Sequence, residues 1–185
     1  MQMLGSKRIS KKKLNGLLLS SISETANLIK MHQEHQTIAE ADVVHLLQTS
    51  QTRRALLWVE RVMKEQNMLD VLLIVQMSLQ LLSEKVVQIQ IHRLCPNELR
   101  EVVASLIFAA PRCGECPQLR KLSLRLQSWF LKHSFATATE ANQQMVDLLS
   151  TKQPSLDSRL QALHLIAKDN GITLNPNNIL LSEFD

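Results

Sequence analysis

Three cysteines, two of them close together, are the residues of this sequence with the greatest capacity for chemistry. Cys113 and Cys116 are three positions apart, a spacing that allows two thiolates to converge on one metal ion or on each other. His92 and Cys95 would complete a four-ligand zinc set. However, Gly114-Glu115 is typical of a tight loop, and a redox dithiol normally accompanies a strand. We therefore expect no metal, no cofactor and no thiol chemistry.

The histidines and glycines add no catalytic signature. His32 and His35 are the only histidines close together, and with Glu34 between them they are typical of a solvated helix face rather than of a ligand pair. The four glycines stand alone, so no phosphate-binding loop is present. No serine has the flanking glycines of a nucleophile elbow. The sequence predicts no catalytic residue and hence no enzyme.

Positive charge is concentrated at the start of the chain, whose net charge is +4. The basic N-terminal end, residues 1–13, contains no acid and five cations: Lys7, Arg8, Lys11, Lys12 and Lys13. Each cation contributes about 1 kcal/mol when it lies near an anionic lipid surface. We predict a membrane-surface site here, and a solvated terminus is the plain alternative. A basic helical nucleic-acid-binding protein is the competing functional class, although two tryptophans and four phenylalanines provide few stacking groups.

The sequence does not predict export or membrane insertion. The apolar stretch Leu17 to Leu19 is too short for a signal peptide, and the apolar run Val71 to Val75 is far below the roughly 20 residues of a membrane span. Three cysteines are an odd and sparse set, which suits a reducing compartment. We expect a soluble, intracellular protein.

The elements that carry these residues are predicted to be helices. Apolar residues recur at helical steps from Ser10 to about Gln48, and His32 and Gln36 interrupt this stripe at positions that require the polar side of another helix or of a partner. A second long helix is predicted from about Arg53 to His92, because no Gly or Pro interrupts it. Ser50 in the polar break between them, or Thr52, is a candidate cap for the second helix. The two helices form an antiparallel hairpin.

Prolines and a glycine delimit about four shorter helices in the rest of the chain. These are expected over about Asn97 to Ala110, from Pro117 to near His133, over about Thr139 to Ser150, and over Ser155 to Asn170. Gly171 is expected to be a left-handed C-cap, followed by an extended tail over 172–185. At 185 residues, the chain is expected to form one domain, residues 1–185.

Several segments resemble the increased sodium tolerance family of ESCRT-III-related proteins. Ser105 to Arg112, which reads Ser-Leu-Ile-Phe-Ala-Ala-Pro-Arg, follows Asn97 to Glu101 in the manner of this family's signature. Val59 to Glu65 is similar to the family's second-helix segment, and Ile166 to Ile172 is similar to its closing helix and tail. In order and spacing, the resemblance extends from about Lys11 to Leu181.

The resemblance implies an all-α, ESCRT-III-like core with a long antiparallel helical hairpin and about four shorter helices. It also implies a non-enzymatic adaptor or regulator of endosomal multivesicular-body sorting, which is cytoplasmic and recruited to endosome membranes. Family members bind the type-one charged multivesicular body protein, an ESCRT-III subunit, through this core. They bind the MIT domain of the vacuolar-sorting AAA ATPase through a motif beyond a long flexible C-terminal region, and we expect that region to be missing from this sequence.

The partner helix is expected to bind in a groove between the second helix and the last helix. The predicted groove residues are Leu72, Val75, Leu79, Arg159, Leu160, Leu163 and Ala167. Leu160, Leu163 and Ala167 share one helix face, and Arg159 is expected to pair with a carboxylate of the incoming helix.

The last predicted helix also carries a pattern of a different kind. Leu156-x-x-Arg159-Leu160-x-x-Leu163-His164 fits the consensus of an MIT-interacting helix, in which three leucines lie on one face. In the family, this position belongs to the last core helix. We therefore expect these leucines to pack in the core rather than to bind an MIT domain.

Overall fold

The computed structural model describes residues 11–87, 95–114, 116–130, 137–150 and 152–174, and no strand occurs among them. Two long helices come first, α1 (Lys11–Gln48) and α2 (Thr52–Glu84). Shorter helices follow: α3 (Arg100–Ala109), which the 3-10 turn Asn97–Leu99 precedes, α4 (Pro117–Phe130), α5 (Thr137–Glu140), α6 (Gln143–Leu148) and α7 (Leu156–Asp169). The predicted all-α class, with a long helical hairpin and shorter helices, is confirmed.

Helix boundaries differ from the prediction in the segment that follows α4. A single helix from about Thr139 to Ser150 is wrong, because the chain leaves helical geometry between α5 and α6. Asn142 has φ −53° and ψ 121°, and its side-chain oxygen accepts a hydrogen bond from the Met145 N–H. The Asn142 side chain is thus an N-cap: it gives the Met145 N–H a partner in place of a backbone carbonyl of a preceding turn, and a new helix starts here. The predicted ends at His92 and His133 lie outside the described residues.

The chain groups into two compact units whose boundaries fall inside α1 and α2. The first unit lies within Met1–Leu28 and Val71–Leu149, and the second unit lies within Ile29–Asp70 and Ser150–Asp185. The expectation of one domain over residues 1–185 stays a prediction.

Leucines from α1, α2, α3 and α4 form the core of the first unit. Nine of them are less than 2% exposed: Leu14, Leu18, Leu72, Leu79, Leu82, Leu106, Leu119, Leu122 and Leu126. Within this unit, α3 packs against both α4 and α5. Complete burial of one leucine contributes about 1.5–3 kcal/mol, so this cluster is the main source of the unit's stability.

The segment that carries the family signature is part of this packing. Ser105 is buried, and its hydroxyl oxygen accepts a hydrogen bond of 2.8 Å from the Asn142 backbone N–H. The Asn142 amide in turn donates to Glu101 at 3.0 Å. At the other end of the segment, the Arg112 guanidinium lies 3.9 Å from the centre of the Phe108 ring and donates to the Phe108 carbonyl. The two hydrogen bonds of Asn142 hold α3 against the start of α6, whereas the Arg112 contacts stay within the segment that ends α3.

A carboxylate from α1 caps the start of α4. The Glu24 Oε2 atom accepts hydrogen bonds from the backbone N–H groups of Gln118, at 3.0 Å, and Leu119, at 3.1 Å. The first amides of a helix have no partner within the helix and carry partial positive charge. A glutamate far away in the sequence therefore provides the cap for α4.

The second unit contains the turn of the hairpin, where α1 ends in a Schellman motif. The Ser50 N–H donates to the Leu47 carbonyl at 3.0 Å, and the Gln51 N–H donates to the Leu46 carbonyl at 2.8 Å. Ser50 has φ +60°, in the left-handed region. Ser50, which was a candidate cap for α2, therefore ends α1 instead.

The core of the second unit joins the hairpin to α7. Its buried members are Ala39, Val43, Leu46, Leu47, Ala55, Val59, Val62, Leu163 and Ala167. The helix α7 ends in a second Schellman motif, in which Gly171 has φ +66° and the Ile172 N–H donates to the Ala167 carbonyl at 2.8 Å. The prediction of a left-handed C-cap at Gly171 is confirmed.

Polar positions on the α1 stripe meet polar side chains of α2 in the second unit. His32 Nδ1 lies 2.6 Å from Glu65 Oε2, and the Gln36 amide donates to the Gln66 side chain at 2.8 Å. The expectation that His32 and Gln36 meet the polar side of another helix is confirmed, and the interpretation of His32 as a solvated face residue is wrong, because its side chain is 17% exposed and packs against Glu65. Hydrogen bonds of this kind pair polar groups that packing would otherwise leave without partners.

Candidate helix-binding groove

A groove of about 340 Å³ lies in the second unit between the hairpin and α7. It is lined by Gln36 and Glu40 from α1, by Val62, Met63, Gln66 and Asn67 from α2, and by Ala162, Leu165, Ile166, Asp169 and Asn170 at α7 and its end. We call the apolar members the floor of the groove and the polar members its rim.

The floor of this groove includes Leu165 of α7, which lies off the buried face of that helix. Leu165 is 61% exposed, whereas Leu163, two positions earlier, is fully buried. Met63 from α2 and Ile166 from α7 are each half-buried, so part of each side chain remains open to a ligand. A partner that covers an exposed leucine gains about 1.5–3 kcal/mol from its burial.

The rim of the groove is acidic. Glu40 lies on the α1 side and Asp169 on the α7 side, and none of the described residues that line the groove is a lysine or an arginine. The Gln36 amide donates both to Glu40, at 3.1 Å, and to Gln66, at 2.8 Å. These hydrogen bonds hold the rim in place on the α1 and α2 side. The charge pattern favours a ligand that carries positive charge next to its apolar face.

The structure divides the predicted groove residues between the two units. Leu72, Val75 and Leu79 are fully buried in the first unit. Leu163 and Ala167 are buried in the core of the second unit. None of these five side chains has surface that a partner would contact in this conformation.

Arg159 and Leu160, the other two predicted groove residues, are half-buried and lie outside the lining of the groove. Arg159 is one of the cations near Glu60: the pKa of Glu60 is lowered mainly by its hydrogen bond to Lys64, with smaller contributions from the charges of Lys64 and Arg159. The Arg159 Nε atom is buried and has no hydrogen-bond partner among the described residues. That Arg159 pairs with a carboxylate of an incoming helix stays a prediction.

The pattern on α7 that fits an MIT-interacting helix is divided between core and surface. Leu163 is fully buried, Leu160 is half-buried and Leu156 is exposed. Three leucines in such different environments do not form one free binding face. The packing interpretation is therefore favoured by the structure.

The predicted membrane-surface residues lie at and before the start of α1. Lys12 and Lys13 are exposed on its first turn. Lys11 is the first residue of α1, while Lys7 and Arg8 lie outside the described residues. Among the described residues, no helix has both the length and the apolar character to cross a bilayer.

The cysteines are held in their protonated form. Burial raises the pKa of Cys113 to about 12, with a further contribution from Cys116 nearby. Burial, together with the charge of Glu24, raises the pKa of Cys116 to about 11 despite the opposing effect of Arg120. The Cys116 thiol donates to the Cys113 carbonyl at 3.7 Å. Because metal ligands and nucleophiles are thiolates, this environment opposes both roles.

Apart from Gln36, sequence reasoning missed the residues that form the floor and the rim of the groove. Met63 and Leu165 carry no chemical signature, and an apolar residue in a helix is normally assigned to the core. A possible signal was that both Leu163 and Leu165 are apolar, although residues two apart on a helix face different directions. One of the two therefore has to lie outside the main buried face.

The fold and the groove define an all-helical protein with the architecture of an ESCRT-III-like core, and comparison with known proteins identifies its family. Residues 16–173 match the Ist1 family, described as regulator of Vps4 activity in the MVB, or multivesicular body, pathway. The chain therefore belongs to the Ist1 family, as its sequence predicted. A search of curated proteins found no match.

One solved structure to which the chain is similar is the N-terminal domain of Ist1 from S. cerevisiae, in complex with a Did2 MIM motif. The TM-score is 0.80 at 19% sequence identity, and the match covers 89% of this chain and 94% of that chain. This likeness confirms the fold.

Proposed function

We propose that this chain is a non-enzymatic adaptor of multivesicular-body sorting that binds a leucine-rich, basic amphipathic helix of an ESCRT-III subunit in the groove of its second unit. The observation that supports this most directly is the combination of an exposed apolar floor and an acidic rim. An amphipathic helix inserts anchors spaced at i, i+3, i+4 and i+7 into such a groove. Basic residues beside those anchors would meet Glu40 and Asp169.

The choice of partner class draws on the family and on the solved relative. The Ist1 family is described as regulator of Vps4 activity, and the solved yeast domain is in complex with a MIM motif of Did2. We infer that the ligand here is a MIM-type segment, with the type-one charged multivesicular body protein as its first candidate source. Binding that segment would place the chain on endosomes and influence how the AAA ATPase is recruited or activated.

The experiment is a fluorescence anisotropy titration of a labelled MIM-type peptide from the type-one charged multivesicular body protein. Leu165→Ser is expected to weaken binding about tenfold or more, because serine has much less apolar surface than leucine for the partner to bury. Leu57→Ser is the matched control, since Leu57 is 60% exposed on α2 and does not line the groove. Equal affinities for the two variants would remove the groove from the binding site.

Charge is tested with a second pair of variants. Asp169→Lys is expected to weaken binding by repelling the basic helix, while Glu84→Lys, an equal change of charge at the end of α2, is expected to have little effect. Arg159→Glu belongs in the same titration. Loss of binding for Arg159→Glu alone would place the partner where the sequence predicted, and no binding by the unmodified chain would overturn the adaptor function.

We also propose that the basic N-terminal end contacts anionic headgroups of the endosomal membrane. Support comes from the exposure of Lys12 and Lys13 on the first turn of α1 and from the lack of acids in residues 1–13. Cations near such a surface contribute about 1 kcal/mol each. Partner binding and membrane contact would then act together to recruit the chain.

A further inference from the structure

Three metal-ligating side chains converge in the second unit, and none of them lines the groove. His32 and His35 lie on α1, and Glu65 lies opposite them on α2. One nitrogen or oxygen from each residue can be chosen so that all three atoms lie within 4.8 Å of one another. Within the described residues, this is the one group of three or more histidine, cysteine or carboxylate side chains with such geometry.

The Glu65 carboxylate has two histidines near it, one more than an ion pair requires. His32 Nδ1 lies 2.6 Å from Glu65 Oε2, which already gives this carboxylate a hydrogen-bond partner. His35 nevertheless approaches the other oxygen of the same carboxylate, with its Nδ1 atom 4.0 Å from Oε1. The two imidazole rings meet edge to face, with centroids 5.9 Å apart. Two imidazoles therefore face one carboxylate from two positions on a single helix.

We propose that His32, His35 and Glu65 bind a divalent transition-metal ion, with zinc as the ion that their chemistry fits best. Two imidazoles and one carboxylate are a common ligand set for zinc, and three protein ligands leave a fourth position for water or for a ligand from a partner. Imidazole ligands disfavour magnesium and calcium, which prefer oxygen donors.

The three side chains would have to shift slightly to reach the geometry of a zinc site. In a tetrahedral zinc site with bonds of about 2.0–2.1 Å, the ligand atoms lie about 3.4 Å from one another. The separation of 4.0 Å between His35 and Glu65 is therefore slightly too long, and that of 2.6 Å between His32 and Glu65 is too short. The side chain of His35 is 44% exposed, so its ring has room to rotate.

A bound ion would connect α1 to α2 within the second unit. The hairpin helices are joined there by hydrogen bonds such as that between Gln36 and Gln66. A metal ion that binds the folded chain and not the unfolded chain raises stability in proportion to the logarithm of its concentration over its dissociation constant. The site would thereby stiffen the part of the hairpin next to the groove rim.

The test is calorimetric titration of ZnCl2 into the untagged chain of 185 residues, with MgCl2 as the negative control. We expect one saturable zinc site per chain and no magnesium binding. His35→Gln and Glu65→Gln are each expected to weaken zinc binding at least about tenfold, whereas His45→Gln, at an exposed histidine of α1 outside the cluster, should leave it unchanged. Zinc should raise the melting temperature of the unmodified chain and of His45→Gln, but not that of His35→Gln.

Cobalt provides an independent readout of the ligands. Co²⁺ in place of zinc should give a visible absorption spectrum without a thiolate charge-transfer band, because no cysteine belongs to the set. Absence of saturable zinc binding by the unmodified chain would overturn the proposal. Equal affinities of His35→Gln and His45→Gln, or loss of zinc on replacing Cys113 and Cys116 by Ser, would overturn it as well. His35→Gln changes a side chain that is 44% exposed, so the variant should fold, and circular dichroism checks that it does.

Discussion

Cys113 and Cys116 show how burial of a single residue changes its chemistry. In the sequence, their spacing is that of a metal or redox pair, whereas in the structure both side chains are buried and their thiols have raised pKa values. Burial disfavours the charged thiolate because a charge loses its hydration. The spacing therefore reflects a packed loop between α3 and α4.

The first prediction concerns the reactivity of these thiols. In the native protein at pH 8, alkylation of Cys113 and Cys116 by iodoacetamide should be slow, because their pKa values of about 12 and about 11 leave almost no thiolate. Cys95 also has a raised pKa, of about 11, but it is partly exposed and should react first. Peptide mass spectrometry after timed quenching measures each site. Modification of Cys113 in the native protein at its rate in urea would contradict the prediction.

The same pKa values predict how stability depends on pH. A thiol with a pKa raised above its ordinary value of 9.0 holds its proton more tightly in the folded state. Its contribution to stability is therefore complete below about pH 9 and is lost as the pH rises toward 11 and 12. Urea unfolding measures this at pH 8 and pH 10.5. Between these pH values, the free energy of unfolding should decrease less for a variant with both cysteines replaced by Ser than for the unmodified chain.

At the scale of elements, α4 depends on a residue that is distant in the sequence. Pro117 starts this helix, as the sequence predicted, but Glu24 from α1 accepts the hydrogen bonds of its first two free amides. An N-cap is usually a local residue such as the Asn142 cap of α6 or the Ser155 cap of α7. In α4, the cap and the contact between two elements are the same interaction.

Removal of this distant cap should therefore destabilise the first unit. We expect Glu24→Ala to reduce the free energy of unfolding by about 1–2 kcal/mol, the range for the loss of an N-cap. Glu34→Ala, at an exposed position of the same helix, should change it by less than about 0.5 kcal/mol. Urea unfolding followed by circular dichroism compares the two. Equal destabilisation would show that Glu24 does not act as a cap.

At the scale of the whole molecule, the uneven distribution of charge matters more than its total. The net charge is +4, yet residues 1–13 alone contribute five cations, and the rim of the groove is acidic. A mixed charge pattern of this kind suits two different ligands, an anionic surface for the basic end and a basic helix for the groove. Net charge alone, in contrast, would suggest only a general affinity for polyanions.

The prediction that follows is tested by liposome flotation. Replacement of Lys7, Arg8, Lys11, Lys12 and Lys13 by Ser should abolish most binding to anionic vesicles, whereas replacement of the exposed Arg53 and Arg54 by Ser should not. Binding of the unmodified chain should weaken as salt increases, because exposed charges are screened over about 8–10 Å at physiological ionic strength. Neutral vesicles should bind poorly.

A nucleic acid would also bind in a salt-dependent manner, so both ligands have to be compared at the same ionic strength. Tighter binding to RNA or DNA than to anionic vesicles would support the competing class of function. Undiminished flotation of the five-site variant would show that the basic end is only a solvated terminus.

The sequence by itself determined the helical class, the two long helices and the family. These follow from local signals: apolar residues recur at helical steps in α1, Gly171 ends α7 in the left-handed region, and Ser105 to Arg112 matches a family signature. Each signal lies within one short segment, where helix propensity and capping act between near neighbours.

Only the tertiary structure decided which residues meet. Glu65 joins His32 and His35, Glu24 reaches α4, and Leu165 stays exposed while Leu72 is buried, because each outcome depends on packing between segments far apart in the chain. Helical periodicity shows which residues share an apolar face. However, α2 and α7 carry more apolar residues than one neighbouring helix covers, so periodicity does not show which of these residues stay exposed. The groove and the proposed metal site therefore depend on side chains from α1 and α2 that only folding brings together.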